Sequence, residues 1–166
     1  NGADTSVLRT SVPLIGALGG SKLVCLMLYI GTDGPLSTRD DPYISVHTLT
    51  QEQQITLQWF SKPSVHLVGA HTGCSCGFPS VVADRVIEYF DGMWDNRDER
   101  DEDIQSVTAL LQILEIAIAR GERAELFPVW NGNEARPPKG TIHCSLKDLN
   151  PEQFFFNEHY LYVIQR

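Results

Sequence analysis

Two cysteines and a histidine lie within six positions of one another in the glycine-rich stretch HTGCSCG, residues 71–77. Thiolate sulfur and imidazole nitrogen are ligands that proteins use to bind zinc and iron. His71, Cys74 and Cys76 would supply three such ligands from one loop and leave a fourth position for water, a substrate or a distant residue. The H-x-x-C-x-C pattern therefore predicts a metal site for Zn or Fe formed by these three side chains.

Two residues far along the chain are candidates for the fourth ligand of such a site. They are Cys144 and His143, in the alternating stretch TIHCSL at residues 141–146. Because side chains alternate between the two faces of a strand, we expect Cys144 to point into the core and His143 to point away from it. Paired C-x-x-C motifs, which mark many structural zinc sites, are absent from the sequence.

The same turn can instead carry thiol chemistry. The thiolate is the reactive form of cysteine, and the N-terminus of a helix lowers the pKa of a nearby thiol. Ser80 is a predicted N-cap for a helix behind the turn, and His71 would act as the base for Cys74 or Cys76. A thiol-based enzyme or redox sensor that uses these two cysteines is the first alternative.

The geometry expected of the turn is the same for both hypotheses. Gly73 and Gly77 permit the positive φ angles that would curl the chain back after a strand ending at residue 71. With Ser75 pointing outward, both thiols would lie on one side and face the imidazole across an accessible pocket.

A second alternative requires no chemistry at the turn, because cysteines also behave as small buried hydrophobic residues. The protein would then be a non-catalytic acidic module for protein–protein interaction. The aromatic run PEQFFF, residues 151–156, would be a docking patch if it were exposed, although burial in the core explains it more simply.

Composition restricts the classes of partner. The 166 residues include 13 Lys and Arg and 21 Asp and Glu, which gives a net charge of −8. Such a surface repels phosphate backbones and anionic membranes, so we expect no nucleic acid and no membrane as partners. A protein partner or a small molecule is compatible with this charge, and the oligomeric state is left open.

The four cysteines favour a reducing, cytoplasmic setting, because a chain of this length can bury a core without disulfides. Cys74 and Cys76 are also too close along the chain to pair comfortably with each other. The longest apolar run, LVCLMLYIG at residues 23–31, is too short to cross a membrane.

Hydrophobic patterning predicts an α+β fold in a single domain, with a mixed or antiparallel sheet of five to six strands and two main helices packed on it. Residues 1–21 are predicted to be a poorly ordered arm, and residues 22–166 the globular domain. Strands are expected at 22–30, 43–49, 64–71, 124–130, 141–146 and 159–166, and helices at 50–60, 80–94 and 104–120.

Three of these elements carry more specific expectations. The continuously apolar strand 22–30 should be central, with the helix 104–120 packed across one face of the sheet. The strands 124–130 and 141–146 resemble a hairpin pair, in which Pro128 would restrict the first to an edge or bulged position. The acidic stretch 95–103 should be a solvated connection between two helices.

Overall fold

The strands and helices of the protein are described, in a computed structural model, over residues 25–81 and 97–166. The predicted arm at 1–21 and all but the start of the predicted helix at 80–94 lie outside these ranges. The elements, in chain order, are β1 (Leu26–Thr32), β2 (Arg39–Asp40), β3 (Ile44–Thr48), α1 (Gln51–Thr56), β4 (Ser64–Ala70), β5 (Ser80–Val81), α2 (Arg97–Arg120), β6 (Arg123–Trp130), β7 (Gly140–Ser145), β8 (Phe156–Asn157) and β9 (Tyr160–Gln165).

The predicted α+β fold in a single domain is confirmed. Seven strands form one mixed sheet in the order β2-β3-β4-β1-β6-β9-β7, with the long helix α2 and the short helix α1 packed on it. All neighbouring strands are antiparallel except β7 and β9. The six predicted strands are present, and the seventh is the two-residue strand β2. No helix in the described ranges is long and apolar enough to cross a membrane.

The strand β1 is central, as its continuous apolar sequence predicts, because it is the fourth of the seven strands. Leu28 and Ile30 point to one face, where they belong to the same buried cluster as Leu110 and Leu114 of α2. Tyr29 points to the opposite face and belongs to a second, smaller cluster. Burial on both faces explains why β1 lacks the alternation of a half-exposed strand.

The predicted hairpin of residues 124–130 and 141–146 is wrong, because β9 lies between β6 and β7. The core-facing side chains of β9, Tyr162 and Ile164, are almost fully buried, whereas most of β7 is half-buried or exposed. The more apolar strand β9 therefore takes the inner position, and β7 forms the edge of the sheet.

The prediction that Pro128 restricts its strand to an edge is also wrong, because β6 lies between β1 and β9. The ladder between β6 and β9 spans only residues 123–126 of β6 and stops before the proline. The Pro128 carbonyl, on that same side, accepts a hydrogen bond of 2.7 Å from the N–H of His159. The missing proline N–H therefore removes no ladder hydrogen bond, and the strand tolerates the residue.

Two expectations about the segments between strands are corrected. Ser80 does not cap a helix, since residues 80–81 form β5, which pairs in parallel with β8. The acidic stretch is not a simple connection either, because α2 begins at Arg97. Glu and Arg are good helix formers, and acidic residues near a helix N-terminus interact favourably with the helix dipole.

The aromatic run at 151–156 contributes to the core and is therefore not an exposed docking patch. Phe156 is fully buried, and its ring makes edge contacts with Phe78, Phe154 and Tyr162 at centroid distances of 4.8–6.1 Å. Phe78 directly follows residues 71–77, which we call the Cys–His turn. The packing of Phe78 against Phe156 therefore anchors one end of that turn to the core.

Candidate functional site

The Cys–His turn begins where β4 ends, and its backbone reverses direction at once. The Gly73 N–H donates to the Ala70 carbonyl, and the Ala70 N–H donates to the Cys74 carbonyl, both at 2.9 Å. Gly73 has a φ of +75°, a left-handed conformation that a glycine adopts without strain. The prediction of a positive φ that curls the chain back is confirmed for Gly73 and wrong for Gly77, whose φ is not positive.

Ser75 points inward, which corrects the expectation that it would point outward. Its side chain is 1% exposed and lies between β1 and β4. The Ser75 hydroxyl accepts a hydrogen bond of 2.8 Å from the Leu28 N–H and donates one of 2.6 Å to the Val68 carbonyl. The serine thus fixes the turn to two strands and leaves the cysteines on either side of it nearer the surface.

The two cysteines of the turn are linked by a hydrogen bond from the backbone of one to the sulfur of the other. The Cys74 sulfur accepts the Cys76 N–H at 3.4 Å and lies 3.5 Å from the Thr72 hydroxyl. The Cys76 sulfur accepts the Leu26 N–H of β1 at 3.3 Å. Cys74 is half-buried and Cys76 is exposed, so reagents in solution can reach the pair.

These contacts make the two thiols unequal. Partial burial acts to raise the pKa of Cys74, but hydrogen bonds from the Thr72 hydroxyl and from the N–H and thiol of Cys76 outweigh it, and the pKa is lowered. Desolvation raises the pKa of Cys76 to about 11, because the opposing hydrogen bond from Leu26 is outweighed and the Cys74 and Cys25 sulfurs add to the increase. Cys74 is therefore the thiol that ionises first, and Cys76 is its hydrogen-bond donor.

The imidazole of His71 contacts side chains of α2 rather than the two thiols. Its Nδ1 lies 3.1 Å from the Ser106 hydroxyl, and its Nε2 lies 3.5 Å from the Glu102 carboxylate. The ring also covers Gly77, where an added β-carbon would lie 2.8 Å from the His71 Cε1. The structure thus brings Cys74 and Cys76 together and gives His71 a separate set of neighbours.

The candidates for a fourth metal ligand are not brought to the turn. Cys144 packs against the main core cluster and His143 is exposed, as alternation predicts, but both belong to the edge strand β7. Four inter-strand spacings separate β7 from β4, roughly 19 Å in total. In the described ranges, no group of three or more His, Cys, Asp and Glu side chains is arranged to hold a metal ion.

Two residues that the sequence did not single out for chemistry lie beside Cys74. The Thr72 hydroxyl lies 3.5 Å from its sulfur, and His47 of β3 lines a small surface cavity that Cys74 also lines. Alternation along β3 places His47 on the face of Met27 and Leu67, but the sequence does not show that Cys74 reaches that face. The other histidine of the neighbouring strands, His66, is buried and accepts the Leu36 N–H, a structural role.

Comparison of the chain with protein-family models, with curated proteins and with solved structures gives no match. The functional argument therefore depends on the geometry of the turn.

Proposed function

We propose that Cys74 and Cys76 form a two-electron redox centre that alternates between a dithiol and an intramolecular disulfide. The observation that carries the proposal is the hydrogen bond of 3.4 Å that the Cys76 N–H donates to the Cys74 sulfur, two residues away in the same solvent-accessible turn. A partly exposed thiol with a lowered pKa beside a second cysteine is the arrangement typical of redox-active cysteines. The sequence predicts such a thiol-based function as its first alternative, with His71 as the base. Here Thr72 and Cys76, rather than His71, lower the pKa of Cys74.

The cycle has two steps. The Cys74 thiolate first attacks an electrophilic sulfur or oxygen of the oxidant, forming a bond to that atom and expelling the other half of the oxidant as an anion. The Cys76 sulfur then attacks the Cys74 sulfur, forming the disulfide, and the group carried by Cys74 leaves with the Cys76 proton. Overall the two thiols lose two electrons and two protons to the oxidant.

The close spacing of the cysteines favours reversal of this cycle. A disulfide between residues that pair uncomfortably is more easily reduced, and such bonds are the regulatory or catalytic ones. A dithiol reductant would return two electrons and two protons and restore both thiols. We place the centre in the cytoplasm, where thiol reductants are abundant, and we expect a small-molecule or protein partner to supply the oxidant.

Alkylation with iodoacetamide at a series of pH values tests the inequality of the thiols. Only thiolates react, so a lowered pKa moves the reactivity of Cys74 to lower pH. We expect Cys74 to reach half-maximal reactivity at a clearly lower pH than Cys76, whose pKa is raised to about 11. Mass spectrometry with peptide fragmentation separates the two sites.

The remaining cysteines supply the controls for this experiment. Burial raises the pKa of Cys144, with the Asp148 carboxylate adding to the effect, so its alkylation should require higher pH. Cys144→Ala should leave the Cys74 profile unchanged, whereas Cys76→Ala should shift it upward by removing the side-chain donor. Alkylation of Cys74 and Cys144 over the same pH range would contradict the proposal.

A metal site for Zn or Fe formed by His71, Cys74 and Cys76 stays a prediction, supported by the pairing of two of its three ligands. The imidazole would have to leave Ser106 to bind the same ion. Elemental analysis of protein purified without a chelator tests it. A stoichiometric ion that is lost in Cys74→Ser would replace the redox cycle as the function of the turn.

A further inference from the structure

A cavity lies between the C-terminal half of α2 and the strands β2 and β3. Its volume is about 240 Å³, room for about eight water molecules and hence for a ligand of about eight non-hydrogen atoms. The apolar side chains of its lining are Leu36, Val46, Ile113 and Ile116, and the charged ones are Arg39 and Arg120. No acidic side chain lines it within the described ranges. The cavity thus combines an aliphatic surface with positive charge alone.

One wall of the cavity is a stripe of side chains on α2. Ile113, Ile116 and Arg120 follow one another at spacings of three and four residues, which places them on the same side of the helix. Ile113 is buried, but Ile116 is 48% exposed. Aliphatic surface next to a guanidinium group is therefore open to solvent here, and burial of a hydrocarbon group against it would be favourable.

The opposite wall is held in place by contacts within the protein. The Leu36 N–H donates to Nε2 of the buried His66 at 3.1 Å. Arg39 pairs in register with Val46, so both side chains lie on the face of the sheet that α2 covers. Asp41 accepts the Arg39 Nε–H with one carboxylate oxygen and two backbone N–H groups, each at 3.1 Å, with the other. This contact orients the guanidinium group and leaves its Nη donors to a ligand.

The charge at the cavity is opposite to that of the chain as a whole, whose net charge is −8. Arg120 forms no ion pair with any residue in the described ranges, so its charge is not neutralised by a carboxylate there. Arginine N–H groups form paired hydrogen bonds with the two oxygens of a carboxylate. The complementary ligand is therefore an anion, and the aliphatic lining favours one with a hydrocarbon body.

We infer that this cavity binds a small aliphatic carboxylate. Its carboxylate group accepts hydrogen bonds from Arg39 and Arg120, and its hydrocarbon chain packs against the exposed Ile116 and the apolar lining beside it. The volume limits the ligand to a short chain, of which hexanoate is an example. The site is independent of the redox centre, because Cys74 lines a cavity on the opposite face of the sheet.

Titration of the ¹⁵N-labelled protein with hexanoate, followed by NMR, tests the inference. We expect a Kd in about the millimolar range, as befits so small a ligand, with the largest amide shifts near Leu36, Val46 and Ile113. Acetate has the charge without the chain, and 1-hexanol has the chain without the charge. Each should bind at least about fivefold more weakly than hexanoate. Equal binding of hexanoate and either probe, or of hexanoate and inorganic phosphate, would overturn the inference.

Matched variants locate the site, and all four positions are exposed, so the fold should be retained. Arg120→Gln should weaken hexanoate binding at least about fivefold. Arg136→Gln removes the same charge from the loop before β7 and should leave the Kd within about twofold. Ile116→Ser should weaken binding at least about threefold by removing apolar surface, whereas Ile55→Ser, on α1, should not. Equal weakening by the two arginine variants, or no weakening by Ile116→Ser, would overturn the site.

Discussion

Cys74→Ser is expected to abolish reduction of a hydroperoxide by the protein in the presence of a dithiol reductant. Hydrogen bonds to its sulfur lower the pKa of Cys74, so in the proposed cycle this thiol makes the first attack on the oxidant. Loss of a nucleophile commonly lowers a rate by several orders of magnitude, and we expect a decrease of at least about a thousandfold. Peroxide consumption measured against time gives the rate.

Cys76→Ser should behave differently because it removes only the second step. Cys74 is then oxidised once, and the sulfenic acid accumulates until an external thiol reduces it. A reagent specific for sulfenic acid should label Cys74 in this variant and nothing in Cys74→Ser. Cys144→Ser, which alters a half-buried cysteine on the far edge strand, should retain the wild-type rate. Full activity in Cys74→Ser would contradict the assignment of the nucleophile.

Ser75→Ala is expected to lower the free energy of unfolding by about 2–4 kcal/mol. The substitution leaves the buried Leu28 N–H and Val68 carbonyl without their hydroxyl partner. Each unsatisfied buried group costs about 1–3 kcal/mol, and both lie in the central strands of the sheet. Urea denaturation followed by circular dichroism measures the change.

Ser37→Ala is the matched control for this variant, since Ser37 is exposed and its loss should change stability by less than about 0.5 kcal/mol. Ser75→Ala should also reduce the reactivity of Cys74, because the serine holds the turn against β1 and β4. A stability equal to that of Ser37→Ala would mean that the Ser75 hydroxyl does not bridge the two strands.

Much of the fold follows from local sequence signals. Continuous apolarity predicts the central position of β1, and the capping box of Thr50 and Gln53 marks the start of α1, where both hydrogen bonds are present. The order of the last three strands does not follow from such signals. It depends on β9 competing with β7 for the place beside β6, a choice between pairings of residues far apart in sequence.

The features of the candidate site likewise fall into those that the sequence predicts and those that it does not. The C-x-C spacing marks the two thiols, and the glycine at position 73 marks the reversal of the chain. The neighbours of His71 depend on where α2 crosses the sheet, since Ser106 is 35 residues away. The inward position of Ser75 likewise depends on a free N–H of β1, 47 residues earlier. Partners at such separations leave no periodic signal in the sequence.

Mapping of the disulfide after oxidation tests the central claim most directly. The reduced protein is treated with one equivalent of hydrogen peroxide, remaining thiols are alkylated, and the peptides are analysed by mass spectrometry. We predict that the peptide with Cys74 and Cys76 is unalkylated and lighter by two hydrogen atoms, whereas Cys25 and Cys144 are alkylated. Alkylation of both Cys74 and Cys76, or a disulfide that joins Cys76 to Cys25, would contradict the account.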